Sequence, residues 1–192
     1  MRKLLVLLLL TAGCASAPPE TARYLLRPAT LPASGVTADV AKIGIGSVRV
    51  ASYLDQPGIV IETASLEVHP AHYHLWAEPL DEGVRRYLRA ALSTDLGFEV
   101  GDDSSGRRDW SHEVRVTIDE FHGTLSGEAR LVAAWQILPQ PSVAPLHAAR
   151  FVDREPLDRD GYPGLVEAER RLLDRLSQSI ADAIRALPAP DS

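Results

Sequence analysis

The sequence predicts an α/β domain of α+β character, in which a mixed, mainly antiparallel sheet carries two main helices. The predicted elements follow one another as several strands, a helix, several more strands and a final helix. Most links between strands are too short to hold a crossover helix, so hairpins should dominate the sheet. Two stretches with apolar residues at helical spacing should each bury one face against that sheet.

The first half of the chain holds short predicted strands separated by turns. Tyr24–Arg27 forms a short strand, and Ile43–Val50 forms a longer one that contains two glycines. Glycine inside a strand indicates a bulge or the close approach of other atoms. The features that follow are a turn at Tyr53–Gly58, a strand at Ile59–Ile61 and a short strand containing Leu66, Val68 and Tyr73.

The first helix is predicted to open at Glu78-Pro79 and to end at Gly97. Proline is tolerated in a first helical turn, and Asp81 and Glu82 suit the positive end of the helix dipole. Glycine is the usual residue just past a helix C-terminus. The apolar residues at helical spacing are Val84, Tyr87, Leu88, Ala91, Leu92 and Leu96.

After a loop over residues 101–108, the sequence predicts three more strands. Val114, Val116 and Ile118 alternate with polar residues, which is typical of a strand with one wet face. A turn at 123–127 leads to a return strand over 129–138, apolar on nearly both faces and therefore central in the sheet. Residues 146–152 pair back onto it.

The final helix is predicted to follow a turn at 161–164 and to stop at Pro188. Proline cannot continue a helix, because it lacks the backbone N–H and its ring clashes with the preceding turn. The predicted buried stripe consists of Leu165, Leu172, Leu173, Leu176, Ile180, Ala183, Ile184 and Leu187.

The N-terminus has the order of a bacterial secretion signal: Arg2-Lys3, an apolar run over 4–10, small residues, and then Cys14. The run is less than half of the roughly 20 apolar residues that a spanning helix needs. The segment resembles a lipobox, which implies that the Cys14 thiol is acylated and becomes the first residue of the mature protein. Because Ala15 and Ser16 are not aspartate, the same resemblance implies sorting to the outer membrane. The alternative is ordinary secretion with cleavage near Ala17 and loss of Cys14.

These signals divide the chain into a signal peptide over 1–13, a lipidated tether over 14–23, a single domain over 24–188 and a tail over 189–192. Removing the signal leaves 18 basic against 26 acidic residues, a net charge of −8. Such a balance, without a basic run, excludes a typical nucleic-acid-binding protein. Cys14 is the only cysteine, so an internal disulfide and a zinc–thiolate site are also excluded.

Catalytic and metal-binding patterns are weak in this sequence. His69, His72 and His74 are near one another and make a metal site conceivable, although strand alternation places His69 on the opposite face from the other two. No Gly-x-Ser-x-Gly nucleophile motif occurs, and no ATP-binding loop is present. The carboxylate pairs Asp102-Asp103 and Asp119-Glu120 are typical of solvated positions. We therefore predict a protein that is not an enzyme and carries no cofactor and no metal.

Aromatic residues near two turns have two open interpretations. Trp76 beside the first helix and Tyr53-Leu54 in a turn either pack into the core or lie on a binding surface, where Trp and Tyr are enriched.

Four blocks follow Cys14 in order: Tyr24–Leu26, Ile45–Val50, Tyr53–Val60 and Trp76–Leu80. Together they resemble the ABC-type transport auxiliary lipoproteins, the PqiC/YmbA-like family. The strands at 114–118 and 129–135 also fit, so the resemblance covers most of the mature chain. Gly58 departs from the larger polar residue expected at that position of the third block.

The resemblance implies a periplasmic domain on the outer membrane that docks and anchors an envelope system. Its partners would be an ABC transporter permease and ATPase and an MCE-domain protein, and its cargo lipids or other hydrophobic molecules. It carries no catalytic residues. The implied motif or partner-binding positions are Tyr53, Leu54, Asp55, Pro57, Trp76, Glu78 and Pro79. A homo-oligomer fits by analogy with a component that caps a conduit.

Two further hypotheses remain open at this point. A lipid-carrying lipoprotein would need an apolar tunnel between the helices and the sheet. An anchored periplasmic hydrolase would need a pocket where a serine or carboxylate meets a base.

Overall fold

Both predicted helices and all of the predicted strand regions are present in a computed structural model of the chain, which describes residues 19–29, 43–63, 66–102, 110–141 and 144–187. Two helices, α1 (Leu80–Leu96) and α2 (Tyr162–Arg185), and a short 3-10 helix (Ser52–Leu54) accompany the sheet. The strands are β1 (Ala22–Tyr24), β2 (Ile43–Val50), β3 (Gly58–Glu62), β4 (Val68–Trp76), β5 (Gly101–Asp102), β6 (His112–Thr124), β7 (Glu128–Pro139) and β8 (His147–Pro156).

The strands form one mixed sheet organised around β6. Strand β7 pairs with nearly the whole length of β6 in antiparallel fashion, and β8 pairs with β7 in the same way. On the other edge of β6, β2 pairs with the first half of β6, and the end of β3 pairs with the end of β6. Both of these pairings are parallel. Strand β4 pairs antiparallel with β3, β1 pairs parallel with β4, and β5 pairs parallel with β2. The longest pairings are therefore antiparallel hairpins, as predicted.

Both helices lie on one face of this sheet, and the core lies between them. Apolar residues of β6 and β7 that point to this face, such as Val114, Ile118 and Leu131, are fully buried with Leu88 of α1 and Leu172 of α2. The alternate residues of β8, such as Arg150 and Val152, are exposed on the opposite side. We call that opposite side the helix-free face.

The helix ends follow the predicted chemistry. Pro79 occupies the N-cap position of α1, with Asp81 and Glu82 in the first turn. Gly97 ends α1 in the left-handed conformation, with φ 78°, and its N–H bonds the Ser93 carbonyl. Gly161, with φ 87°, precedes α2, and Pro163 lies in the first turn of that helix. The predicted stop at Pro188 lies outside the described residues.

Several boundaries differ from the predicted ones. The first strand ends at Tyr24 rather than running to Arg27, and Leu26 beyond it is buried in the core. Strand β4 is longer than predicted and reaches Trp76, which therefore belongs to the strand and not to the helix entry. A two-residue strand, β5, opens the predicted loop at 101–108 because it pairs with Gly44 and Ile45 of β2.

One acidic side chain lies inside the core. Glu169 of α2 is fully buried, and neither carboxylate oxygen has a hydrogen-bond partner among the described residues. Burial raises its pKa well above the ordinary value of 4.5. The carboxyl group is therefore held neutral, since an ionised group without a partner would be far costlier in this environment.

We expect this carboxyl to make the protein less stable as pH rises. Above the ordinary pKa the unfolded chain ionises at Glu169 while the folded chain keeps the proton, so stability falls with pH up to the raised folded pKa. The slope should reach about 1.4 kcal/mol per pH unit in that window. Thermal melts of wild type and Glu169→Gln between about pH 5 and pH 8 should show a flatter pH dependence for the variant. Equal slopes in the two proteins would contradict a neutral Glu169.

Candidate functional site

The sequence blocks around Tyr24, Tyr53 and Trp76 meet at one corner of the sheet. Tyr24 of β1 lies opposite Trp76 of β4, and the Ala77 N–H donates to the Tyr24 carbonyl at 2.8 Å. The Trp76 N–H donates to the Pro57 carbonyl at 2.7 Å, which joins the turn after β2 to the end of β4. We call residues 24–26, 53–58 and 76–80 the motif corner. Main-chain hydrogen bonds thus assemble segments that lie far apart in sequence.

The predicted positions in the motif corner divide into buried and exposed residues. Leu54 and Trp76 are buried at 2% and 6% exposure, and the Trp76 ring lies 6.2 Å from that of Phe121. Their local role is packing, in agreement with the core interpretation. By contrast, Asp55, Pro57 and Pro79 are exposed.

Glu78, which is partly buried, forms an ion pair with Arg86 of α1 at 2.6 Å. Among the predicted positions, the exposed surface of the motif corner therefore comes from one acidic residue and two prolines, and Leu25, at 42% exposure, lies beside them in the same corner.

Tyr53, in the motif corner, is half-buried against the core. Its hydroxyl donates to the Asp119 carbonyl at 3.4 Å, and its own carbonyl accepts a bond from the Gln56 side chain at 2.6 Å. Burial, with Glu120 nearby, raises the pKa of Tyr53 to about 12. The phenol therefore stays protonated and acts as a hydrogen-bond donor, not as a nucleophile.

A groove of about 530 Å³ runs over the helix-free face where β2, β6 and β7 lie side by side. We call it the arginine groove. Its lining combines two arginines and one glutamate with small and polar side chains: Ser47, Arg49, Glu113, Arg115, Val116, Thr117, Ala134 and Gln136.

Two of the three charged side chains in the arginine groove pair with each other, and the third does not. Glu113, only 7% exposed, accepts bonds from Arg115 Nε at 2.8 Å, from Arg115 Nη2 at 3.0 Å and from the Gln140 amide at 2.7 Å. This bidentate contact neutralises Arg115, and the bond to Glu113 raises the pKa of Arg115. Arg49 is exposed and makes no ion pair with another residue of the described ranges. A positive charge therefore remains available at Arg49.

The glycines of β2 make room for this arrangement. A Cβ atom at Gly46 would lie 2.0 Å from Glu113 Oε1, and one at Gly44 would lie 2.0 Å from the Trp110 ring. The pairing of β2 with β6 also shifts register between Ile45 and Val48. The predicted irregularity of this strand is confirmed, and the predicted close approach of other atoms is that of Trp110 to Gly44 and of Glu113 to Gly46.

The three clustered histidines have separate surroundings. His69 Nε2 lies 3.5 Å from Glu67 Oε2 with both side chains exposed, and His72 is exposed. His74 hydrogen-bonds the Tyr24 hydroxyl at 3.0 Å and stacks on Tyr162 with ring centroids 4.1 Å apart. Across residues 19–29, 43–63, 66–102, 110–141 and 144–187, no group of three or more potential ligands is placed to hold a metal ion.

The carboxylates of the second predicted pair make ion pairs. Asp119 contacts Arg150 at 3.2 Å, and Glu120 contacts Arg130. Asp103 lies outside the described residues.

The family model for the ABC-type transport auxiliary lipoprotein component matches residues 24–181, which is most of the chain. The chain belongs to the ABC-type transport auxiliary lipoprotein family. The resemblance seen in the sequence blocks is thereby confirmed. The family segment begins at Tyr24, the first residue of the motif corner.

Individual relatives agree with this family assignment. The chain is 30% identical over 193 residues to the intermembrane transport lipoprotein PqiC of Escherichia coli, covering 98% of this chain and all of the relative. The same figures hold for the PqiC protein of Shigella flexneri.

A crystal structure of an uncharacterised protein, 25% identical, covers 86% of this chain with a TM-score of 0.73. A Xanthomonas campestris protein shares the fold at 12% identity, over 83% of this chain, with a TM-score of 0.68.

The arginine groove was not predicted from the sequence. The bulge in β2 interrupts the alternation of side chains between the two faces of the sheet. The sequence therefore did not indicate that Arg49 lies on the same face as Glu113 and Arg115. Cys14, the predicted lipidation site, lies outside the described residues. No helix in the described ranges is long and apolar enough to cross a membrane.

We expect Gly46→Ala to destabilise the protein by about 1–3 kcal/mol, because the new methyl group clashes with the buried Glu113 carboxylate and displaces it from its bonds with Arg115 and Gln140. Urea denaturation measures the change. The double variant Gly46→Ala with Glu113→Ala should recover part of that loss, since the clash is gone. A strictly additive double-mutant cycle would contradict the proposed clash.

Proposed function

We propose that the protein is an outer-membrane lipoprotein that docks and anchors an envelope transport system. In this proposal residues 1–13 are a signal peptide, and acylated Cys14 with the tether over 14–23 holds the domain over 24–188 on the periplasmic face. The system comprises an ABC transporter and an MCE-domain partner, and it moves lipids or other hydrophobic molecules between membranes. The observation that carries the proposal is the end-to-end similarity to a lipoprotein named for intermembrane transport.

The packing of the domain supports docking over lipid carriage. The space between the helices and the sheet is filled by large side chains such as Tyr87, Phe121 and Leu131, all with 2% exposure or less. A crevice beside the motif corner, lined by Tyr24, Leu26 and Trp76, is too narrow to hold a water molecule. Lipid carriage would require this packed core to open.

The partner contacts are proposed to lie on two surfaces. One is the exposed part of the motif corner, at Asp55, Pro57 and Pro79, next to Glu78 and Tyr53. The other is the arginine groove, where Arg49 suits an acidic side chain of the partner. The proposal includes a non-enzymatic role, which is supported by the naming of the relatives as transport lipoproteins and by a Tyr53 phenol that is held protonated.

We expect Cys14→Ala to release the protein from the membrane, because the acyl chains supply the anchoring free energy, about 0.8 kcal/mol for each buried CH₂. Fractionation of the envelope should find the variant in the soluble periplasm. Ser16→Ala, two residues away, is the matched control and should stay in the membrane fraction. Unchanged membrane fractionation of Cys14→Ala would refute the anchoring role, and a mature N-terminus after Ala17 would support ordinary secretion.

We expect a photo-crosslinking amino acid at Arg49 or Asp55 to capture an MCE-domain protein in intact cells, since both side chains are exposed on the proposed contact surfaces. The control position is Arg159, an exposed arginine in the loop before α2. Mass spectrometry of the purified adducts identifies the partner. Equal yields at all three positions would contradict docking through these surfaces. Co-purified lipid in native mass spectrometry, without any crosslinked partner, would favour lipid carriage instead.

A further inference from the structure

Two leucines project from neighbouring turns at one end of the sheet. Leu66, in the link between β3 and β4, is 85% exposed, and Leu125, in the turn between β6 and β7, is 68% exposed. The turns are adjacent because Glu62 at the end of β3 lies opposite Thr124 at the end of β6. Val68, at the start of β4, adds a further side chain with 40% exposure. We call this end of the sheet the leucine end.

The turn at Leu66 holds its leucine in an unfavourable conformation. Leu66 has φ 62°, in the left-handed region where glycine or asparagine is far more common. Its N–H donates to the Thr63 carbonyl at 3.1 Å, and the Thr63 N–H donates to the Glu67 carbonyl at 2.8 Å. These bonds hold the backbone beside Leu66, so its side chain is exposed at a conformational free-energy cost that a glycine would avoid. A backbone outlier of this kind favours a functional reason for the side chain.

The turn at Leu125 is fixed in a similar way. The Gly127 N–H donates to the Thr124 carbonyl at 3.2 Å, with Gly127 at φ 78°. The Thr124 hydroxyl bonds both the Ser126 hydroxyl at 2.8 Å and the Glu128 carbonyl at 3.2 Å. The polar residues of this turn are bonded to one another, and the leucine between them points away.

The direction of β1 allows the proposed anchor at Cys14 to lie at the leucine end of the sheet. Strand β4 begins at the leucine end with Val68 and runs away from it to Trp76. Strand β1 runs parallel to β4, with Ala22 opposite His74, so the chain enters β1 from the leucine end. Cys14 precedes Ala22 by only a few residues, which reach at most about 27 Å when extended. The stretch of β4 from His74 back to Val68 spans about 20 Å, so an anchor at Cys14 can lie level with the leucine end.

We propose that Leu66 and Leu125 insert into the interfacial layer of the lipid bilayer and orient the domain with its leucine end towards the membrane. This inference rests on the proposed acylation of Cys14, which brings the domain to the lipid surface. Glu67 and Glu128 flank the two leucines, and Glu67 pairs with His69. The attraction therefore comes from apolar side chains and not from anionic headgroups, so neutral phosphatidylcholine is a suitable membrane.

The test measures the depth of single labelled positions in the acylated, full-length mature protein reconstituted in phosphatidylcholine vesicles. Because Cys14 is the only cysteine and its thiol is acylated, Leu66→Cys or Leu125→Cys introduces a single free thiol for an environment-sensitive fluorophore. Leu146→Cys is the matched control. Leu146 is 50% exposed and directly precedes β8, at the end of the sheet opposite the leucine end. Nitroxide-labelled lipid and a water-soluble quencher report the depth of each label.

We expect blue-shifted emission and strong quenching by nitroxide lipid at positions 66 and 125, and strong quenching by the water-soluble quencher at 146. Proteins that float with the vesicles but show the same quenching at all three positions would overturn this inference and leave the anchoring intact. A protein that does not float would overturn the anchoring through Cys14 and this inference with it. A blue shift at positions 66 and 125 that persists in the unacylated Cys14→Ala protein, in buffer without vesicles or detergent, would assign the leucines to a protein contact and would also overturn the inference.

Discussion

Strand β6 is paired along both of its edges and so holds the sheet together. Strand β7 covers one edge, and β2 and β3 divide the other, so every strand of the sheet connects to β6 directly or through one neighbour or two. The residues of β6 that point to the helices, including Val116, Ile118 and Phe121, form the floor of the core. Its other residues, including Glu113 and Arg115, form the floor of the arginine groove. One alternating strand thus supports the hydrophobic core on one face and a charged surface on the other.

How much of this could be predicted depends on the range of the interactions concerned. Alternation in β6, continuous apolarity in β7 and helical spacing in α1 and α2 are local patterns, and each gave the correct element. The parallel pairings of β2 and β3 with β6 join segments separated by a helix, so no local pattern reports them. Strand β4 was predicted too short, because most of its residues up to Tyr73 are exposed and lack the apolar signal that marks a strand.

The same distinction applies to the candidate surfaces. The sequence blocks pointed to the motif corner, but only the hydrogen bond from Trp76 to Pro57 shows that two of them form one surface. Burial then separates Leu54 and Trp76, which pack, from Asp55 and Pro79, which remain available. Arg49 could not be predicted as a groove residue, since the bulge in β2 removes the alternation that would have placed it there.

The distribution of polar and apolar groups gives the two proposed contacts different physical characters. The chain is net acidic, with 26 acidic against 20 basic residues, so its surface as a whole does not attract anionic lipid. A membrane contact must then rely on acyl chains and apolar side chains, and the chain enters β1 from the end where Leu66 and Leu125 are exposed. The remaining positive charge of the arginine groove lies instead on the helix-free face, at Arg49. An exposed arginine discriminates among partners by charge, whereas leucines do not. The proposals therefore divide the work: the groove would select a protein partner, and the leucine end would orient the domain on the lipid.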